Sequence, residues 1–284
     1  MNDVIMYSGG VDSFLVHQWL RSNKIDHELI YFNLGGKYSN NEINLFNTDA
    51  FLKYVGQNVS ISDCLHMGSL EEEDAHIPNR NLLTAIMAQS VTGYQNIWIG
   101  GTMSDRTLDN TFDCFHRLSS LLSIVNKKKI KVTSPFWANH KAELVKQYVN
   151  SKGWNLCESN NDARDSLITS TFSCYYPNEE KKVKIVYRDS EDTIYTGHET
   201  REIITTECLN CKACFRKCMS LFAGGIMIPM LKTEESIKLV TDYYNESMEG
   251  LQNPDDPMSI RYQWTIRYCD YLKQLWGLSN GCKC

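Results

Sequence analysis

The chain has 284 residues, 42% of them apolar, and a formal charge of −5 at neutral pH. That length allows one large or two modest domains with a sizeable core. The charge gives no global case for nucleic-acid binding, so no direct nucleic-acid partner is expected, and no apolar run approaches the ~20 residues of a membrane span.

Residues 3–7 (DVIMY) are a short apolar run that stops at Ser8-Gly9-Gly10 and predict a strand. Residues 12–23 place Phe14, Leu15, His17, Trp19 and Leu20 with helical periodicity. A strand at 27–34 follows, then a helix at 40–56 with Gly56 as its stop, then a strand at 57–62. The apolar stretch 79–94 predicts a helix, 96–102 (NIWIGGT) a buried strand ending in glycines, and 113–126 a helix. Residues 129–136 predict a strand and 140–153 a helix stopped by Gly153. Strands alternating with helices imply an α/β fold with a doubly wound, mostly parallel sheet. Ligands of such sheets bind at the carboxyl ends of the strands, where polar clusters fall at 8–13, 33–37 and 100–105.

After Gly153 the character changes. Residues 158–166 are polar and read as a loop. Residues 179–207, rich in charge and β-branched side chains, read as a small hairpin. Residues 233–251 and 259–278 read as two amphipathic helices. The basic run 126–131 reads as a solvated loop. The first strand starts at once with no basic leader, so no secretory signal is expected and a cytoplasmic location is.

The stretch Ser8-Gly9-Gly10-Val11-Asp12-Ser13 lies between a strand and a helix. A helix N-terminus presents unpaired N–H groups and a positive dipole end to an anion. The glycines let the backbone curl toward it, and Ser8 and Ser13 offer hydroxyls. Asp12 would repel phosphate but suits a first helical turn, or a ligand of the Mg²⁺ that accompanies ATP. The lysine of the Walker A loop is missing, and so is the G-x-G-x-x-G dinucleotide pattern.

Eleven cysteines are an odd count in a long chain, and four of them, Cys208, Cys211, Cys214 and Cys218, fall within eleven residues. Such crowding favours metal ligation over disulfides. The spacing suits a four-thiolate structural Zn²⁺ site, either local with Cys218 or borrowing Cys174. It also matches the spacing of iron–sulfur ferredoxins, although Met219 stands where they place proline.

The loop resembles the Ser-Gly-Gly-x-Asp-Ser PP-loop of the ATP pyrophosphatase superfamily (adenine nucleotide alpha hydrolase-like fold). Further blocks resemble the 7-cyano-7-deazaguanine synthase family in order: 77–91, 97–105, 112–115, 133–153, 171–177 and the triplet Cys208-x-x-Cys211-x-x-Cys214. They span residues 3–218. The resemblance implies an ATP-dependent ligase that adenylates 7-carboxy-7-deazaguanine, transfers ammonia to give the amide, and dehydrates it with a second ATP to the nitrile. The implied cofactors are ATP, Mg²⁺ and Zn²⁺, and the implied partners a small deazapurine and ammonia.

By resemblance, Ser8, Gly9, Gly10, Val11, Asp12 and Ser13 hold the triphosphate, and Arg80, Asn81, Asp105 and Asp113 face the substrate. Asp12, Asp105 and Lys141 are the catalytic candidates. Surface or helix-cap roles are the plain alternatives for Arg80, Asp105, Asp113 and Lys141. The resemblance favours Cys174, Cys208, Cys211 and Cys214 as the metal set. The family's Asp and Tyr after the second strand are Asn33 and Leu34 here, and its Asp-Cys-Arg becomes Asp113-Cys114-Phe115. A PP-loop tRNA thiolase with an iron–sulfur cluster, or an amide ligase for another carboxylate, is the alternative function. The expected division is a 1–157 PP-loop ATP-binding α/β domain and a 158–284 Cys-rich zinc-binding segment with an insertion and C-terminal helices. A homodimer is the assembly considered.

Overall fold

In the computed structural model, which describes residues 2–37, 39–64, 66–72, 77–103, 107–174, 180–188, 199–253 and 256–278, five short strands form the central sheet. These are β1 (Asp3–Met6), β2 (Glu28–Phe32), β3 (Val59–Ser62), β4 (Asn96–Trp98) and β5 (Lys131–Thr133). Their order is β3-β2-β1-β4-β5 and every pair is parallel. The chain winds outward from β1 in both directions, so the switch point lies between β1 and β4, beside the end of β1.

The helices follow the alternation: α1 (Val11–Ser22), α2 (Ser39–Phe46), α3 (Asp49–Val55), α4 (Arg80–Thr92) and α5 (Phe112–Asn126). Alternation along the strands sorts the core. Val4, Ile30, Phe32, Ile97 and Val132 join Ala85, Ala88, Phe115, Leu118 and Leu122 of α4 and α5 in one cluster. Tyr31 points the other way, and its ring meets Phe46 of α2 edge-on at 5.3 Å.

Three expectations are corrected locally. The single helix at 40–56 is two, because the Thr48 side chain accepts from Phe51 N and starts α3 afresh. The strand at 129–136 keeps only β5, with an isolated bridge from Phe136 to Thr102. The polar stretch 158–166 is not a loop: it forms most of α8 (Asn160–Thr169), capped by Ser159 and burying Ala163 and Leu167 one turn apart.

The chain divides into two compact units, Met1–Asn139 with Ser151–Phe172, and His140–Asn150 with Ser173–Cys284. This differs from a single cut after residue 157. α6 (Lys141–Asn150) belongs to the second unit. The turn α7 (Lys152–Asn155) and α8 pack against α1 and α3 of the first. Tyr54 at the end of α3 donates its hydroxyl to Asp162 of α8 at 2.9 Å.

The second unit holds the antiparallel pair β6 (Lys181–Tyr187) and β7 (Glu199–Thr205), which bears out the expected hairpin strands. It continues with α9 (Lys212–Ala223), β8 (Ile226–Met227) paired to β6, α10 (Glu234–Gly250) and α11 (Ser259–Leu275). α9 is its spine. Phe215 stacks on Tyr243 of α10 at 4.5 Å, and Phe215 and Phe222 both meet Tyr268 of α11. The two C-terminal helices therefore cover the helix that carries Cys214 and Cys218.

Candidate active site and metal centre

The Ser8–Ser13 stretch is a closed turn between β1 and α1. Ser13 Oγ donates to Gly10 O at 3.1 Å and accepts from Ser8 N at 3.3 Å. The Ser8 hydroxyl lies 3.3 Å from it and accepts from Gly10 N at 3.4 Å. Gly9 takes φ +73°, a conformation L side chains rarely adopt, and its carbonyl accepts from Phe172 N at 2.8 Å. Gly10 is the N-cap of α1, and no side-chain hydrogen bond caps that helix. Val11 and Ser13 are buried and anchor that turn.

Gly100, past β4, closes the switch point from the other side. A Cβ there would lie 2.8 Å from Asp12 Cβ and 2.9 Å from Ser13 N. The backbone of the β4 turn therefore runs directly against the start of α1.

Arg80 and Asn81 open α4. Asn81 donates through its backbone N–H to Asp109 Oδ2 at 3.0 Å and through its side chain to Asp109 Oδ1 at 3.2 Å. Asp109 thus holds the α4 entry, a role the sequence reading missed because 28 positions separate the two. Asp113 is exposed in the first turn of α5, where it accepts from Arg117 Nε at 2.9 Å. Thr111, not Asp113, caps that helix. Asp105 lies outside the described residues. Lys141 is the first residue of α6 in the second unit. Where the related family carries arginine, Phe115 is fully buried and stacks on Trp137 at 6.1 Å, so this position serves the core.

In the second unit, Cys174, Cys208, Cys211 and Cys214 converge, their sulfurs all within 4.8 Å of one another and all four residues buried. Cys208 Sγ and Cys214 Sγ are 3.8 Å apart. A tetrahedral Zn–S cage with bonds of about 2.3 Å has edges of about 3.8 Å, so the thiols fit a single ion. All the described cysteines are free thiols. Cys218, one turn further along α9, is buried outside the group.

The turn builds the site: Cys211 caps α9 by accepting from Cys214 N at 3.5 Å, and Cys208 N donates to Cys174 Sγ at 3.1 Å. Hydrogen bonding from Cys174 and its neighbours drives the Cys211 thiol down, and Cys208 is lowered to about 7, chiefly by Cys174. Cys174 and Cys214 are pushed up as the donors. Full ionisation of four adjoining thiols needs a cation among them.

Behind the cysteines, Lys217 Nζ meets both oxygens of Glu207 at 3.0 Å in a buried ion pair. Glu207 Oε1 also accepts from Ser173 N at 2.9 Å. One carboxylate therefore ties the segment entering Cys174 to the helix carrying Cys214. Neither residue carried a readable signal in the sequence.

The sequence matches the family described as queuosine biosynthesis protein QueC over residues 2–223. The chain belongs to the QueC family. The match includes the Ser8–Ser13 loop and all four converging cysteines and ends on the last residue of α9. As a family member this is a PP-loop enzyme that uses ATP. Among solved structures, a predicted subunit of a tRNA methyltransferase from Methanocaldococcus jannaschii is similar at 15% identity and a TM-score of 0.35, covering 64% of this chain and 80% of that one. A 4-thiouridine synthetase, in complex with RNA and bound ATP, is similar at 13% identity and a TM-score of 0.35. That match covers 59% of this QueC-family chain and 42% of the synthetase. No curated protein matches the chain. Among the described residues no helix is long and apolar enough to cross a membrane.

Proposed function

We propose that this chain is an ATP-dependent C–N ligase that converts 7-carboxy-7-deazaguanine to 7-cyano-7-deazaguanine with ammonia. One observation carries the reading: the QueC match spans a complete PP-loop, here closed at the sheet's switch point, together with the converging cysteines. The loop donors and the hydroxyl of Ser8 bind the triphosphate, with Gly9 and Gly10 giving close approach and Val11 and Ser13 anchoring the turn. The substrate carboxylate attacks the α-phosphorus, pyrophosphate leaves, and ammonia displaces AMP from the acyl-adenylate. A second ATP activates the amide oxygen, and loss of AMP leaves the nitrile.

Asp12 is the residue for Mg²⁺, a hard cation that takes carboxylate oxygen and offsets phosphate charge. Lys141 is kept as a catalytic candidate by resemblance. Arg80 and Asn81, with Asp105 and Asp113 by resemblance, are assigned to the deazapurine. Cys174, Cys208, Cys211 and Cys214 are assigned to a structural Zn²⁺. Four sulfurs gathered within 4.8 Å surround one ion, whereas a cluster giving each iron its own thiolate spreads them apart; this supports zinc over the thiolase reading. We place the enzyme in the cytoplasm, and sedimentation tests the homodimer.

Incubation with 7-carboxy-7-deazaguanine, ATP and ammonium tests the reading. It should release AMP and pyrophosphate and yield the nitrile by mass. AMP release with some other acid alone would overturn the substrate and keep the ligase. Stoichiometric iron in place of zinc would overturn the metal assignment.

A further inference from the structure

The carboxyl edge of β2 carries a polar pair, Tyr31 and Glu42, separate from the groups assigned to ATP and to the deazapurine. Tyr31 donates its phenolic hydrogen to Glu42 Oε2 at 2.5 Å. Glu42 is in the first turn of α2, three and four residues before Leu45 and Phe46, and so on the same helix face. That face lies against the phosphate loop: a Cβ on Gly9 would be 3.2 Å from the Phe46 ring and 3.4 Å from Leu45 Cδ2. Phe46 in turn meets Tyr31. Loop, tyrosine and carboxyl form one contiguous assembly at the edge where ligands of a doubly wound sheet bind.

The groups that act on the Glu42 carboxyl come from three parts of the chain: Tyr31 of β2, Arg80 at the start of α4, and Glu71 between β3 and α4. Glu71 is itself held by Lys37 N at 2.9 Å. Burial pushes Glu42 up to about 7; the Tyr31 donor and Arg80 pull it down, Glu71 adds to the rise, and burial prevails. A base works best when it is poised near the operating pH.

We propose that Glu42, oriented by Tyr31, accepts a proton from the ammonium nucleophile beside the PP-loop. The inference rests on the ligase reading. At neutral pH the nitrogen arrives mostly as ammonium, which has no lone pair. One N–H proton passes to Glu42 Oε1, and the freed electron pair forms the bond to the acyl carbon. A second nitrogen proton leaves to water, the C–O bond to AMP breaks with its electron pair on AMP, and the amide results. Glu42 then returns its proton to solvent.

Hydroxylamine, already unprotonated at neutral pH, separates this role from a structural one. The test uses full-length, zinc-loaded protein with 7-carboxy-7-deazaguanine and ATP, measuring amide and hydroxamate formation against pH. Glu42→Gln should raise the hydroxylamine-to-ammonium rate ratio at neutral pH by about 100-fold or more. Its ammonium rate should climb with pH as free ammonia accumulates. Tyr31→Phe keeps the ring on Phe46 and removes a donor that holds the carboxyl down, so the acid limb of the ammonium profile should move to higher pH. An unchanged ratio, or an acid limb that stays in place, overturns the role. Wild-type pyrophosphate release with the acid distinguishes the two failures: its absence overturns the ligase reading, and this role with it.

Discussion

Cys208 donates its backbone N–H to the Cys174 sulfur at 3.1 Å, joining residues 34 positions apart. The contact sets the distant ligand in register with the Cys208-x-x-Cys211-x-x-Cys214 turn. Metal affinity should therefore depend on Cys174 and not on Cys218. Cys174→Ser should lose the bound metal, and chelation should lower the apparent Tm by more than about 10 °C, since structural zinc contributes on the order of 10 kcal/mol. Cys218→Ser should keep the metal. Elemental analysis of both variants decides, and loss of metal from Cys218→Ser would refute the assignment.

The Glu207–Lys217 pair is buried on both sides. Removing one partner leaves a buried charge uncompensated, which costs about 3–5 kcal/mol. Lys217→Met should show that loss in urea unfolding. Glu207→Gln with Lys217→Met should lose less than the two single changes summed. Strict additivity in the double-mutant cycle would show that the two groups do not act as a pair.

His17 Nδ1 and His27 Nε2 lie 2.8 Å apart beneath α1, and the outer nitrogens reach Val55 O at 2.9 Å and Ile25 O at 2.7 Å. Two neutral rings carry hydrogens for the two carbonyls and none for the contact between them. Burial nevertheless lowers both rings, His17 to about 3, with His27 adding repulsion. The unfolded chain therefore binds protons that the folded chain refuses. Stability should be full above about pH 6.5 and fall as pH drops toward 3, by up to about 1.4 kcal/mol per pH unit for each ring. Urea midpoints between pH 7.5 and 5 test this, and a rise on acidification would mean that a shared proton bridges the rings. His27→Gln should flatten the dependence.

Gly100 leaves no room for a side chain, because Asp12 Cβ and Ser13 N are 2.8 and 2.9 Å from where its Cβ would be. Gly100→Ala must push the start of α1, at a cost of about 1–3 kcal/mol. The expected signature is a raised KM for ATP, read by pyrophosphate release, with metal content unchanged. An unaltered KM would mean that the α1 entry does not hold the nucleotide.

Local patterns were sufficient for the β1–loop–α1 unit, the parallel sheet and the Cys triplet. An apolar run ending in Ser8-Gly9-Gly10 and thiols three apart state their geometry within a single turn of chain. The same logic misread 158–166, where Ala163 is the single apolar residue, too little to show a helix that tertiary packing against α3 completes. Nor did it show that Phe115, standing where the family has arginine, is buried against Trp137 and serves the core. Proximity in space decided the rest. Folding chose Cys174 over Cys218, brought Asp109 to Asn81, set Glu42 against Tyr31, and paired Lys217 with Glu207. In each case the partners lie on different elements, and a carboxyl or thiol acquires its character from the burial and charges that another part of the chain supplies.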